Sequence, residues 1–153
     1  MSSLSLPSLP NPGISDSRKI YILDSSAVLR YLDREAGYDR VHVILDGHAQ
    51  GLCWAVMTAL HWGELAHKLV RRHGESTQES IMAKLMALRI EVIPASADRA
   101  IGSARIQARL KIPYVDCFGV ELAYDSPYHI FVTADFDLKP AASEVQIEFL
   151  PIK

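Results

Sequence analysis

The sequence lacks several features that would assign it to large classes of protein. No apolar run among its 153 residues reaches the roughly 18 residues needed to cross a bilayer, so no membrane association is expected. Its 16 basic and 18 acidic residues give a net charge of −2, which excludes a general nucleic-acid coat, because such proteins are strongly basic. Only two cysteines are present, Cys53 and Cys117, and their spacing fits neither a metal site nor a redox pair.

The motifs of several common catalytic sites are also missing. The chain contains no glycine-rich phosphate loop, no GxSxG nucleophile elbow and no HExxH zinc motif. Its six histidines are scattered, and the spacing of His61, His67 and His73 would turn them to different faces of a helix. These patterns therefore predict neither a serine hydrolase nor a metal site built from histidines.

What is present is the composition of an ordinary globular domain, with 49% hydrophobic and 22% charged residues. Short β-favouring runs alternate with amphipathic helical stretches along the chain. This alternation predicts an α/β fold with a short parallel central sheet and helices on both faces, a three-layer α/β/α sandwich. The predicted strands are 19–23, 52–57, 90–93, 129–133 and 145–150.

The first 18 residues differ from the rest of the chain. They are rich in serine and proline and lack the basic start and apolar stretch of a secretory signal. We therefore expect residues 1–18 to be a flexible N-terminal extension and residues 19–153 to form a single domain.

Helix starts are predicted from serine and threonine residues that can cap exposed backbone N–H groups. Ser25 and Ser26 offer capping oxygens after the first strand, and Thr58 offers one after the second. The pair Ser76 and Glu79 has the spacing of a capping box and predicts the start of a further helix.

Four acidic residues stand where apolar elements begin or end. Asp24 directly follows the first predicted strand, and Asp135 follows the fourth. Asp116 falls in the first turn of a predicted helix, while Glu64 lies on a helix face away from its apolar stripe. If the first and fourth strands are neighbours, Asp24 and Asp135 share one crevice at the carboxyl ends of the sheet. Carboxylates gathered from separate elements can hold a divalent cation against a phosphate.

Each of these acids taken alone has an ordinary structural explanation. Asp24 could cap a helix, and Asp116 could interact with the helix dipole. Glu64 could be a solvated helix residue, and Asp135 could form a turn. The metal-site hypothesis therefore depends on the four acids as a group.

The four acids lie in the segments LDSSAVLRYL (23–32), MTALHWGELAHKL (57–69), VDCFGVELA (115–123) and VTADFDL (132–138). These segments resemble the acidic motifs of PIN-domain ribonucleases, above all the small VapC-type toxins of bacterial toxin–antitoxin pairs. The resemblance extends from about Ile20 to Leu150 and departs from the usual pattern at Cys117–Gly119, where small and aliphatic residues are more common.

The resemblance implies a PIN-like fold and a Mg²⁺- or Mn²⁺-dependent endoribonuclease. Asp137 matches a further, less regular acidic position of the family, Thr133 its hydroxyl residue beside the site, and Ser25 the small polar residue after the first aspartate. The residues that match the catalytic, metal-binding acids of the family are Asp24, Glu64, Asp116 and Asp135.

The same resemblance implies a cytoplasmic toxin that forms a homodimer, cuts RNA and is held by a cognate antitoxin protein. Two alternatives remain open from the residues alone. A receiver-like signalling module also follows parallel strands with acidic residues, but it places an acidic pair after the first strand, where this chain has the single Asp24. A PIN fold that has lost catalysis and only binds RNA or protein is the other alternative.

Overall fold

The computed structural model describes residues 17–153, which form five strands, six α-helices and one 3-10 helix. The strands are β1 (Ile20–Leu23), β2 (Trp54–Thr58), β3 (Glu91–Ile93), β4 (His129–Thr133) and β5 (Ile147–Phe149). The helices are α1 (Ser25–Leu32), α2 (Tyr38–Ala49), α3 (Ala59–His73), α4 (Glu75–Ala87), α5 (Ala97–Leu110), α6 (Tyr114–Ala123) and the 3-10 helix (Phe136–Ser143).

All five strands are parallel and lie in the order β3-β2-β1-β4-β5. β1 pairs with β4 along its whole length, from Ile20 opposite His129 to Leu23 opposite Val132. The strand order reverses at this pair, because the chain runs outward through β2 and β3 on one side of β1 and through β4 and β5 on the other. A crevice outside the carboxyl ends of β1 and β4 is the usual position of a ligand site in such sheets.

Helices cover both faces of the sheet, which confirms the predicted α/β/α sandwich. Tyr21 and Leu23 belong to one buried apolar cluster with residues of α1 to α4, while Ile20 and Ile22 belong to a second cluster with residues of α5, α6 and the 3-10 helix. Because consecutive strand side chains point to opposite faces, a strand covered on both sides must be apolar throughout. This explains why the sequence of β1 is apolar at every position.

The predicted helix starts have mixed outcomes. Thr58 caps α3, since its hydroxyl accepts a hydrogen bond from the backbone N–H of His61. The capping box predicted from Ser76 and Glu79 is wrong, because α4 already begins at Glu75. The preceding Gly74 has a φ of 83°, a value that glycine adopts without strain, and this conformation separates α3 from α4.

The predicted N-terminal extension falls almost entirely on residues 1–16, which lie outside the described residues, so the boundary between 1–18 and 19–153 stays a prediction. Within residues 17–153, no helix combines the length and the apolar character that a membrane span requires.

Candidate functional site

Asp24 lies at the carboxyl end of β1, and only 3% of its surface is exposed. One carboxylate oxygen, Oδ2, accepts hydrogen bonds from the hydroxyl of Thr133 at 2.6 Å and from that of Ser26 at 2.8 Å. Thr133 ends the neighbouring strand β4, so the strand pairing that was required for a shared crevice is present. The two hydroxyls fix the orientation of the carboxylate, and its other oxygen, Oδ1, faces into the crevice toward His61.

Asp116 reaches the same crevice from the first turn of α6, as the sequence predicted. Its side chain is 11% exposed, and Oδ1 lies 3.3 Å from Nε2 of His61. Burial raises the pKa of the Asp116 carboxyl, and the negative charges of Asp24 and Glu64 raise it further, while the hydrogen bond with His61 acts in the opposite direction. A cation bound between these carboxylates would favour their charged forms.

His61 is the member of the site that the sequence analysis missed. It lies on α3, is fully buried, and places Nε2 3.3 Å from Oδ1 of Asp116 and 3.4 Å from Oδ1 of Asp24. Within the described part of the chain, these three residues form the group whose ligand atoms could hold a metal ion, since the atoms lie within 4.8 Å of one another. The available signal was local: His61 precedes Glu64 by three residues, and residues at this spacing share a helix face.

Glu64 is connected to the site by a contact with α1 and does not simply face the solvent. Its side chain is 31% exposed and accepts a hydrogen bond from the hydroxyl of the buried Ser25. Lys68, one turn further along α3, lies 3.5 Å from the same Glu64 oxygen. Glu64 therefore stands at the rim of the crevice, between the buried acids and the solvent.

Asp135 and Asp137 lie at the same edge of the sheet but outside the buried group. Asp135 is half-buried and precedes the 3-10 helix, where its carboxylate accepts a hydrogen bond of 2.9 Å from the backbone N–H of Asp137. The side chain of Asp137 is exposed. In this arrangement Asp135 caps a helix, which is close to the turn-forming role considered for it from sequence.

Ser25 and Ser26 do not cap α1, although they were predicted to offer N-cap oxygens. The helix begins at Ser25 itself, and Asp24 occupies the N-cap position without a side-chain cap. Ser25 donates to Glu64, while Ser26 donates to Asp24 and accepts from the backbone N–H of Ala134. Both hydroxyls thus connect α1 to the acids and to the end of β4.

A basic surface continues from the rim along α3. Lys68 and Arg72 are partly exposed and pair with Glu64 at 3.5 Å and Asp33 at 2.8 Å, respectively. Arg71 on the same helix is exposed. Positive side chains beside an acidic crevice can attract a polyanion while the acids hold its counter-ion.

Comparison with protein families gives one match that covers most of the chain. The profile of the family described as PIN domain matches residues 21–143, which include all of β1 except Ile20, the strands β2 to β4, and every acid of the crevice discussed above. No curated protein sequence matches the chain.

Several solved structures have the same fold at low sequence identity. A chain in the structure of VapBC2 from Rickettsia felis, bound to a DNA fragment from the promoter, is 14% identical with a TM-score of 0.66, and the match covers 86% of this chain and 99% of that chain. DNA-bound VapBC of Salmonella typhimurium is 14% identical with a TM-score of 0.65, and the coverage is 86% and 98%. VapC20 of Mycobacterium tuberculosis, a toxin that cleaves the sarcin–ricin loop, is 16% identical with a TM-score of 0.63, and the coverage is 87% and 100%.

Proposed function

The chain belongs to the PIN-domain family, and from this premise we propose that it is a divalent-metal-dependent endoribonuclease that acts as the toxin of a toxin–antitoxin pair. The observation that carries the proposal is the convergence of Asp24 and Asp116 in one buried crevice at the carboxyl ends of parallel strands. Family membership leaves no reason to retain the receiver-like alternative. An inactive PIN fold is the remaining competitor.

The side chains of the crevice fit a divalent metal ion. Carboxylate oxygens are the preferred ligands of Mg²⁺ and Mn²⁺, and Asp24 and Asp116 each direct one oxygen toward the same point. Desolvation and mutual repulsion of the buried carboxylates favour a bound cation, as the raised pKa of Asp116 indicates. We therefore assign Mg²⁺ or Mn²⁺ as the cofactor, with Asp24 and Asp116 as its principal ligands.

The remaining acids complete the proposed site. Glu64 at the rim would hold the ion or orient the attacking water, and its carboxylate is kept in place by Ser25. Asp135 would act through a water molecule, and Asp137 matches the family at a less regular position. A metal ion bound here would supply Lewis-acid activation and neutralise charge at the scissile phosphate. Cleavage of this kind leaves a 5′-phosphate and a 3′-hydroxyl.

The RNA backbone would reach the crevice along the basic surface of α3. Lys68, Arg71 and Arg72 line a shallow depression there. Phosphate groups are attracted by such side chains without regard to sequence, so this surface would position the RNA, and other contacts would select the cleavage point.

A direct test is cleavage of RNA by the purified full chain. We expect cleavage with Mn²⁺ or Mg²⁺, none after chelation by EDTA, and products with 5′-phosphate ends. Asp24→Asn and Asp116→Asn should each abolish cleavage, because each removes a charged ligand while keeping nearly the same volume. Asp98→Asn is the matched control, since Asp98 is exposed in the first turn of α5 and lies outside the group formed by Asp24, His61 and Asp116. Variants at Asp24 and Asp116 that cut as well as the wild type would show that the cleavage does not depend on the crevice. A wild type that cuts nothing would favour the inactive PIN fold.

The toxin assignment is tested separately in cells. We propose that the protein acts in the cytoplasm as a homodimer and that a small antitoxin covers the acidic crevice. Expression of the chain alone should arrest growth, and co-expression of the protein encoded by the neighbouring gene should restore it. Growth arrest that also occurs with Asp24→Asn, or the absence of any complex with that neighbour, would contradict the assignment.

The proposed domain boundary has its own test. If residues 19–153 form the nuclease domain, a chain that begins at residue 17 should cleave RNA at the rate of the full chain. A large loss of cleavage would show that residues 1–16 contribute to the activity.

A further inference from the structure

His61 lies between the two carboxylates that are proposed to bind the metal ion. Its side chain is fully buried, and Nε2 points between two carboxylates, at 3.4 Å from Asp24 and 3.3 Å from Asp116. Two ligand atoms bound to one ion at about 2.1 Å and at right angles are about 3.0 Å apart, and a tetrahedral arrangement spreads them further. The spacing of Nε2 from each carboxylate oxygen is therefore that of ligands sharing one ion.

The other ring nitrogen of His61 is held by the start of α3. Nδ1 lies 2.7 Å from the hydroxyl oxygen of Thr58, and the same oxygen accepts the backbone N–H of His61 at 3.1 Å. Metal-binding histidines commonly donate the second ring N–H to an oxygen acceptor, which fixes the ring and leaves the first nitrogen free to bind. The hydroxyl oxygen of Thr58 is in the position of that acceptor. Thr58 can accept from both donors, because a hydroxyl oxygen has two lone pairs.

This arrangement permits both the empty and the loaded site. Without a cation, a hydrogen on Nε2 can be donated to Asp24 or Asp116, while the Thr58 hydroxyl donates to Nδ1. With a cation, the hydrogen resides on Nδ1 and is donated to Thr58, so that the lone pair of Nε2 faces the ion. The change requires no movement of the ring, which packs tilted against Phe131 with the ring centroids 5.6 Å apart.

We propose that His61 is a direct ligand of the divalent ion, so that the site is built from one imidazole nitrogen and the carboxylates of Asp24 and Asp116. The proposal rests on the metal-dependent function proposed above and adds a nitrogen to its oxygen ligands. Imidazole binds Co²⁺ and Zn²⁺ much better than Mg²⁺, which retains its water and prefers oxygen. His61 therefore shifts the selectivity of the site away from Mg²⁺ and toward first-row transition metals.

The first experiment detects the nitrogen directly. The full chain, prepared without a histidine tag, is loaded with Mn²⁺ and studied by pulsed electron paramagnetic resonance. We expect a ¹⁴N coupling typical of a directly bound imidazole, absent from His61→Gln and retained in His67→Gln. His67 is the matched control because it lies on the same helix with its side chain exposed. Because the wild type alone can give this result, the test does not depend on a variant that folds.

The second experiment measures selectivity by calorimetric titration with Co²⁺ and with Mg²⁺. His61→Gln should weaken Co²⁺ binding by about tenfold or more, as expected for loss of a metal ligand. Mg²⁺ binding should change by less than about threefold, because a water molecule replaces the imidazole at little cost. Circular dichroism establishes that the variant is folded.

The outcomes separate this inference from the proposed function. If Mn²⁺ binds the wild type without a ¹⁴N coupling, or if His61→Gln binds Co²⁺ as tightly as the wild type, His61 is not a ligand and the metal-dependent function stands. If the wild type binds none of these ions, the metal-dependent function and the role of His61 are both wrong.

Discussion

The hydroxyl of Thr133 donates a 2.6 Å hydrogen bond to Oδ2 of Asp24, and this bond joins the ends of the two central strands directly beneath the crevice. Both residues are buried. The same hydroxyl oxygen accepts the backbone N–H of Asp135 at 3.0 Å, so one side chain orients an acid of the site and fixes the turn that follows β4. Thr133 thus positions the site although it carries no charge.

Replacement of Thr133 should therefore lower the free energy of unfolding by an amount that depends on which group of the side chain is removed. Thr133→Val keeps the shape but deletes a hydrogen bond to a buried charged group, which is worth about 1.5–3 kcal/mol. Thr133→Ser keeps the hydroxyl and loses one methyl group, for about 1 kcal/mol. The free energies of unfolding in urea measure both effects. A Thr133→Val protein as stable as Thr133→Ser, or more stable, would show that the hydroxyl contributes no more than the methyl group.

Asp116 should destabilise the metal-free fold whenever it is charged. Its pKa is raised from the usual 3.8, chiefly by burial, so the folded protein binds this proton more tightly than the unfolded chain does. Wild-type stability should accordingly fall as the pH rises from 3.8 through the raised pKa, and the cost is complete above it. Asp116→Asn lacks this dependence. At pH 7 and without metal, the variant should melt a few degrees higher, since about 1 kcal/mol shifts the Tm of such a domain by about 2–4 °C.

The control for Asp116→Asn is the same substitution at an exposed aspartate that lacks the buried, charged surroundings of Asp116. Asp98→Asn should leave the Tm unchanged within about 1 °C, because exposed substitutions away from special contacts have small effects. Differential scanning calorimetry of the three proteins at pH 3.5 and pH 7, after removal of metal, provides the measurement. A lower Tm for Asp116→Asn than for the wild type at pH 7 would contradict the prediction.

The sequence was sufficient to predict the layers of the fold and the crevice, because these depend on local patterns. Apolar runs such as β1 and β4 predict buried parallel strands, and acids that directly follow them must lie at one edge of the sheet. Asp24 and Asp116 could be placed in this way from strand and helix ends alone.

The roles of His61, Ser25 and Ser26 were not predicted, because they depend mainly on contacts between distant parts of the chain. Ser25 lies next to Asp24 in sequence, so capping was the expected role of its hydroxyl, yet Glu64 from α3 competes successfully for it. His61 belongs to no histidine motif, and its partner Asp116 is 55 residues away. The packing of helices at the sheet edge determines the Ser25–Glu64 and His61–Asp116 contacts. The spacing of residues along the sequence says little about how these helices pack.

Substitution of Gly119 should destabilise the fold, because α6 packs closely against the sheet at this residue. A Cβ atom at this position would lie 2.5 Å from the ring of Phe131, which is fully buried in β4 and cannot move freely. Gly119→Ala should therefore lower the free energy of unfolding by about 1–3 kcal/mol, as overpacking of a core does. This contact also explains why a glycine stands in α6, where the chain departs from the usual family pattern.

A second helix glycine provides the control for Gly119. A Cβ at Gly63 in α3 would meet no atom within 4 Å, and the residue is exposed. Gly63→Ala should raise the free energy of unfolding by up to about 1 kcal/mol, because alanine favours the helical conformation. In urea denaturation, the changes in the free energy of unfolding caused by Gly63→Ala and Gly119→Ala should therefore have opposite signs. A Gly119→Ala protein as stable as the wild type would mean that Phe131 can move aside.

Glu144 should contribute acid-sensitive stability at the far end of the sheet from the crevice. It follows the 3-10 helix and accepts hydrogen bonds of 2.8 and 2.9 Å from Arg109 on α5 and another from Tyr124. Arg109 and Tyr124 hold the pKa of Glu144 at about 2, well below its usual 4.5. The folded protein therefore binds this proton less tightly than the unfolded chain, so the contribution is complete above pH 4.5 and is lost as the pH falls to about 2.

Glu144→Gln removes the charge but retains the shape, so its stability should respond differently to pH and to salt. The variant should melt below the wild type at pH 7, and the two Tm values should converge as the pH approaches 2. Because Arg109 and Glu144 are partly exposed, added salt should also narrow the difference at pH 7. Glu79→Gln is the control, since Glu79 is exposed on α4, and should show neither dependence. A difference between wild type and Glu144→Gln that persists unchanged at pH 2 would show that the contribution of Glu144 does not depend on its charge.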